Sequence, residues 1–139
     1  MFTKILLATD GSEHSLRAAE KAAGIAQSNS NSKVTILYVV DGDSSKSDVL
    51  SAGGKEAIEE KRKKKLHKAE EFFSLDDIAY ESKILKGEPG PTIVKFANEK
   101  GYDLVVIGSR GLNSFQEMVL GSVSHKVAKR ANCPVMIVK

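Results

Sequence analysis

One cysteine, three prolines and no long apolar run are the first constraints that this 139-residue sequence sets. With Cys133 alone, no internal disulfide can form, which points to a reducing compartment. No stretch approaches the ~20 apolar residues needed to span a bilayer. The amino-terminal run Met1 to Leu7 is too short for a signal peptide and has no small-residue cleavage site. The expectation is a cytoplasmic protein with no membrane partner. Aromatic residues make up only 6% of the chain, and none interleave with the basic run Lys61 to Lys65 as stacking platforms for nucleic acid. Glu59, Glu60, Glu70 and Glu71 flank that run, several at i,i+4 spacing, so it reads as a solvated helix face. A net charge of +3, from 21 basic and 18 acidic residues, is too small to argue for a nucleic-acid partner. Also missing are the G-x-x-x-x-G-K-[ST] frame, with its phosphate-reaching lysine, and any second acidic cluster for a two-metal centre.

What is present is a well-spread 41% of hydrophobic residues, enough for one domain over residues 1–139 with a real core. Short β-branched runs alternate with longer helical periods, the pattern of a parallel α/β sheet. Strand one is Lys4 to Thr9, nearly continuous in Ile and Leu as for a strand covered on both faces. Ser12 is placed to N-cap a helix running to about Ser28, with Leu16, Ala19, Ala23 and Ala26 on its buried face. Strand two is Lys33 to Val40. From Asp41 to Gly54 the sequence is rich in Ser, Gly and Asp without a period, and reads as a functional loop ordered by ligand or partner. A helix from Lys55 to Phe73 carries Ile58, Leu66, Ala69 and Phe73 on one stripe. Strand three is about Tyr80 to Leu85. Pro91 is expected at the first position of the next helix, which buries Ile93, Phe96 and Ala97 and ends at Gly101. Strand four is Asp103 to Ile107, a helix spans Ser122 to about Ala131, and strand five is Pro134 to Val138.

The most informative feature follows strand four. Gly108, Gly111, Gly121 and Ser122 stand in the frame G-x-x-G-x₉-G-S, a strand leading into a glycine-rich turn, a loop and a new helix. Glycines let backbone N–H groups approach a ligand with no Cβ in the way, and a helix start offers unpaired donors and positive dipole. Together they make a seat for phosphate. If the chain winds one way through strands one to three and returns for four and five, right-handed crossovers give the order 3-2-1-4-5. Strands one and four then flank a crevice at their carboxyl ends, where open α/β sheets bind ligands.

The whole chain resembles the universal stress protein family, in its nucleotide-binding branch. The resemblance rests on Ile5 to Ser12, on Leu37-Tyr38-Val39-Val40-Asp41, on Gly108-Ser109-Arg110-Gly111 with Gly121-Ser122-Val123-Ser124, and on Cys133 to Val138. It implies a single open five-stranded parallel sheet of order 3-2-1-4-5 with helices on both faces, Rossmann-like and similar to the adenine nucleotide alpha hydrolases. It further implies ATP or a related adenine nucleotide, carried with Mg²⁺, and a homodimer paired through strand five, residues 134–138. Transferred by position, Asp10 meets the ribose or a phosphate-bound Mg²⁺, and Val39 reads the base edge through its backbone. Ala8 and Ile107 wall the pocket. Gly108, Gly111, Gly121, Ser122, Val123 and Ser124 hold the phosphates, with Arg110 as the one cation in the loop.

His14 and His67 have no partners at ligand spacing and read as solvated. His125 reads as a helix-surface residue and Cys133 as a small buried hydrophobe. The expected function is a nucleotide-dependent regulatory module of the stress response, acting on a protein partner the sequence does not name, and not an enzyme. Two alternatives stay open: a slow ATPase or nucleotidyl transferase using the same pocket, and a ligand-free dimerisation scaffold.

Overall fold

The computed structural model describes residues 2–40, 54–110 and 121–139. Among the described residues nine elements follow one another: β1 (Lys4–Thr9), α1 (Glu13–Gln27), β2 (Lys33–Val40), α2 (Lys55–Ser74), β3 (Ala79–Lys86), α3 (Pro89–Glu99), β4 (Leu104–Gly108), α4 (Ser122–Arg130) and β5 (Val135–Val138). The five strands form one parallel sheet in the order β3-β2-β1-β4-β5, as the winding argument and the family resemblance both anticipated. The central strands are buried almost throughout, which is why they read as unbroken apolar runs and not as alternations.

Two apolar layers cover the sheet. On one face Ile5, Leu7, Val34, Ile36 and Val106 pack against the alanines of α1 and against Leu66, Ala69 and Phe73 of α2. On the other, Leu6, Ala8, Leu37, Val39, Val105 and Ile107 pack against Ile93 and Ala97 of α3 and Val127 of α4. The inner face of α1 is Ser15, Ala18, Ala19, Ala22, Ala23 and Ala26. Small residues there let the helix lie close to the strands, and Leu16, expected on that face, is only half-buried. Helix α3 also begins two residues earlier than expected. Pro89 takes its first position after the cap residue Glu88, and Pro91 falls on the third. Both prolines fit a first turn whose N–H groups have no i−4 partner, so the sequence did not discriminate between them.

The end of the sheet away from the crevice is closed by Asp103. Its Oδ2 accepts from the Lys4 and Thr3 backbone N–H groups at 2.9 and 3.1 Å and from Thr3 Oγ1 at 2.8 Å. Donation by Lys4 N–H, then by the Thr3 hydroxyl and N–H, holds the carboxyl below the usual range. A depressed folded-state pKa adds stability that is complete above the unfolded carboxylate pKa and is lost as pH falls through the folded value. Asp103→Asn therefore lowers the thermal midpoint at pH 7 by about 2–4 °C, a small effect because the carboxylate is open to solvent. The gap from wild type closes as the pH is lowered through that range, which thermal melts at stepped pH will read. A gap that stays constant with pH contradicts the assignment.

Candidate functional site

At the end of β1 the chain turns sharply through Asp10 and Gly11. Gly11 has φ +84°, a left-handed conformation that favours glycine. Asp10 Oδ1 accepts from Ser12 N–H at 2.9 Å, and Ser12 Oγ caps α1 by accepting from Ser15 N–H at 3.2 Å. The half-buried carboxylate of Asp10 is thus oriented by the turn it closes, at the carboxyl edge of the sheet.

At the end of β4 the path Gly108-Ser109-Arg110 leaves the sheet, and the start of α4 is strapped back onto it. The Ser109 carbonyl accepts from Gly121 N–H at 2.8 Å and from Ser124 Oγ at 2.8 Å. This double clamp fixes the first turn of α4 against the end of β4. The backbone N–H groups of Ser122, Val123 and Ser124 belong to that first turn and have no i−4 partner within the helix. They carry the positive end of the helix dipole, the geometry that receives an anion. Ser124 is buried and its hydroxyl serves the clamp, whereas Ser122 is exposed. Gly111 and the residues up to 120 lie outside the described residues, as do residues 41–53 of the expected ligand-ordered loop.

The third wall is the end of β2, which overshoots β1. Thr9 pairs with Tyr38 as the last partner, leaving Val39 and Val40 beyond it. Gly87 N–H donates to the Val40 carbonyl on the β3 side. Since backbone groups alternate sides along a strand, the Val39 carbonyl faces the β1 side, past the end of that strand. The Gly11 N–H, which would be next in line to reach it, turns instead to Thr9 Oγ1 at 3.4 Å. Ala8 and Ile107 are direct partners across β1 and β4 and share with Val39 the face covered by α3 and α4. Apolar wall, edge acceptor, acidic turn and helix start therefore meet at the ends of β2, β1 and β4.

The structure adds contacts that the sequence did not suggest. Gly108 is glycine for a packing reason: a Cβ there would lie 2.8 Å from the carbonyl carbon and Cβ of His14 and 3.0 Å from its oxygen. The space it leaves is filled by α1. His14, expected to be solvated, is half-buried, with Nδ1 3.0 Å from Ser109 Oγ and Nε2 3.5 Å from Arg110 Nη2. Its partners lie 95 and 96 residues away, so no local spacing announces them. Arg110 is half-buried at the corner. His125 is exposed, and His67 is exposed beside Glu71 at 3.3 Å. Lys61, Lys63 and Lys64 face solvent. Lys65 instead lies over the Tyr38 ring at 5.8 Å, its stem against Gly11. Cys133 is half-buried, and burial pushes its thiol pKa up, away from the reactive thiolate. Burial likewise raises the pKa of Tyr102, whose hydroxyl donates to Thr35 Oγ1 at 2.8 Å, far from the crevice.

A doubly wound parallel sheet with an acidic turn and a helix start converging at its switch point defines a class, the open α/β domains that take ligands at the carboxyl ends of their strands. The chain belongs to the universal stress protein family, whose family model matches residues 1–139. It is 35% identical to universal stress protein YxiE of Bacillus subtilis, covering all of both chains. Among solved structures, it matches a universal stress protein in complex with cAMP at 29% identity and a TM-score of 0.67, covering 99% of this chain and 96% of the other. It also matches the universal stress protein of Archaeoglobus fulgidus in complex with dAMP at 26% identity and a TM-score of 0.73, covering 99% and 98%.

Proposed function

We propose that this chain binds an adenine nucleotide, foremost ATP with Mg²⁺, and acts as a nucleotide-dependent regulatory module in the stress response. The observation that carries the proposal is the layout of the crevice. An outward-facing carbonyl at Val39 offers an acceptor for the adenine amino group, and Ala8 and Ile107 supply an apolar wall. The clamped first turn of α4 offers N–H donors to phosphate at the far end. The cAMP and dAMP complexes of related proteins support the adenine assignment. Asp10 sits between the two ends, suited to a ribose hydroxyl or a hard cation. Among the described residues no group of three His, Cys, Asp or Glu is gathered to hold a metal. Mass spectrometry of small molecules released by denaturing freshly purified protein, followed by calorimetry with ATP and GTP, tests the proposal. Release of an adenine nucleotide and binding of ATP in preference to GTP are expected; no binding of either overturns it.

The same proposal includes a homodimer through β5. This strand is an edge, and Val135, Met136 and Ile137 along it are only partly covered. The carbonyls of Pro134 and Val138 accept from Val105 N–H of β4 and from Ser109 N–H just beyond it. By alternation, the N–H and C=O of Val135 and Ile137 point outward, forming an open ladder that invites a second copy. A two-fold axis satisfies both edges by antiparallel pairing. Ile137→Pro removes an outward donor while sparing the β4 ladder. It should convert the dimer to monomer at micromolar concentration in analytical ultracentrifugation, with ATP affinity changed less than about threefold. A monomeric wild type, or a variant that still dimerises, rules the interface out.

A further inference from the structure

We infer that His14 is a positioning residue of the phosphate corner, coupling the start of α1 to the loop after β4 and setting how strongly the site prefers phosphorylated ligands; this rests on the nucleotide proposal above. His14 is the second residue of α1, and its backbone packs directly against Gly108. From that anchored base its ring reaches the next two residues of the loop, Ser109 through Nδ1 and Arg110 through Nε2. A guanidinium only donates. In the tautomer that satisfies both contacts, Nε2 carries the lone pair toward Arg110 and Nδ1–H donates to Ser109 Oγ.

Ser109 is the residue whose carbonyl clamps Gly121 N–H and Ser124 Oγ. The ring therefore holds the cation at the corner directly and, through Ser109, the helix start that offers donors to an anion. Val39, Ala8 and Ile107, at the base end, take no part in this chain of contacts. An interaction confined to the phosphate end affects ligands in proportion to what they place there. Loss of His14 should leave adenosine binding intact and weaken nucleotides.

The test begins with His14→Ala. Alanine keeps the backbone and Cβ that pack on Gly108 and is a better helix former than histidine, so only the ring contacts are lost. His14→Asn places an amide N–H the same number of bonds from the backbone as Nδ1–H and should restore the bond to Ser109. Calorimetry with adenosine, ADP and ATP reads the outcome. The expected result for His14→Ala is a loss of about tenfold for ATP and ADP, the scale of one well-oriented polar contact, with adenosine unchanged and most of the loss recovered in His14→Asn. Ser109→Ala should lose a similar factor, and the double variant should lose little more than either single one.

Equal losses for adenosine and ATP, or wild-type ATP affinity in His14→Ala, overturn the inference. If the wild type binds no adenine compound, the nucleotide proposal fails instead. The positioning role is then read on the free protein by amide hydrogen exchange. His14→Ala should speed exchange at Gly121 N–H by about tenfold relative to the amides of β1, and unchanged exchange at Gly121 overturns it.

Discussion

A methyl group added at Gly108 should lower the unfolding free energy by about 2–3 kcal/mol, the upper part of the range for overpacking a dense interior, and the thermal midpoint by about 5–10 °C. The added carbon would sit 2.8 Å from two atoms of His14 and 3.0 Å from a third, two of them backbone. No side-chain rotation relieves such a contact, so β4 and the first turn of α1 must separate. Gly121→Ala is the matched control. Its backbone, at φ −62° and ψ 155°, suits any residue, and the nearest atom is Ser109 O at 3.3 Å. That change should cost less than about 1 kcal/mol. Chemical denaturation of both variants, followed by circular dichroism, reads the difference. Equal midpoints would show that the packing of α1 on Gly108 yields more easily than its geometry implies.

The second large effect is expected at Asp10. Under the nucleotide proposal, Asp10→Ala weakens ATP binding about ten- to a hundredfold, the equivalent of one charge-assisted hydrogen bond of roughly 1.5–3 kcal/mol. Part of any loss on truncation comes from the turn, because the same carboxylate accepts from Ser12 N–H. Asp10→Asn separates the two contributions, since it keeps a side-chain oxygen for Ser12 and removes only the charge. If Asp10 holds Mg²⁺, Asp10→Asn loses affinity with the metal present and matches wild type in a chelator, while Asp10→Ala keeps in the chelator only the loss that comes from the turn. If it binds the ribose, the loss is the same in both conditions. Unchanged affinity in both variants removes Asp10 from the site.

The parts of the fold legible in sequence are those whose cause is local or periodic. β1, β2 and β4 are buried on both faces and announce themselves as unbroken apolar runs. Ser12 is a capping residue at a strand-to-helix turn, and it caps α1 as its position implies. The strip Ile58, Leu66, Ala69 and Phe73 on α2 follows from helical period, and all four are buried. The boundaries were less legible. At α3 two prolines fit the same first turn equally well, and the helix takes in both.

The candidate site divides along the same line. That the end of β4 and the start of α4 come together was readable, because a strand, a glycine turn and a helix start are consecutive in the chain. Why each residue has its identity was not. Gly108 reads as room for a ligand, and a Cβ there would also meet the backbone and Cβ of His14, which no local pattern shows. His14 reads as a solvated helix residue, yet its ring partners stand at Ser109 and Arg110. The outward carbonyl of Val39 depends on a register between strands and on β2 running past the end of β1. The sequence by itself determined the elements and their parallel class, through local propensity and hydrophobic period, and the family, through the resemblance carried by its motifs. Only the tertiary structure decided which atoms meet at the crevice, because contacts between residues nearly a hundred positions apart depend on strand order and helix docking, which no local pattern encodes.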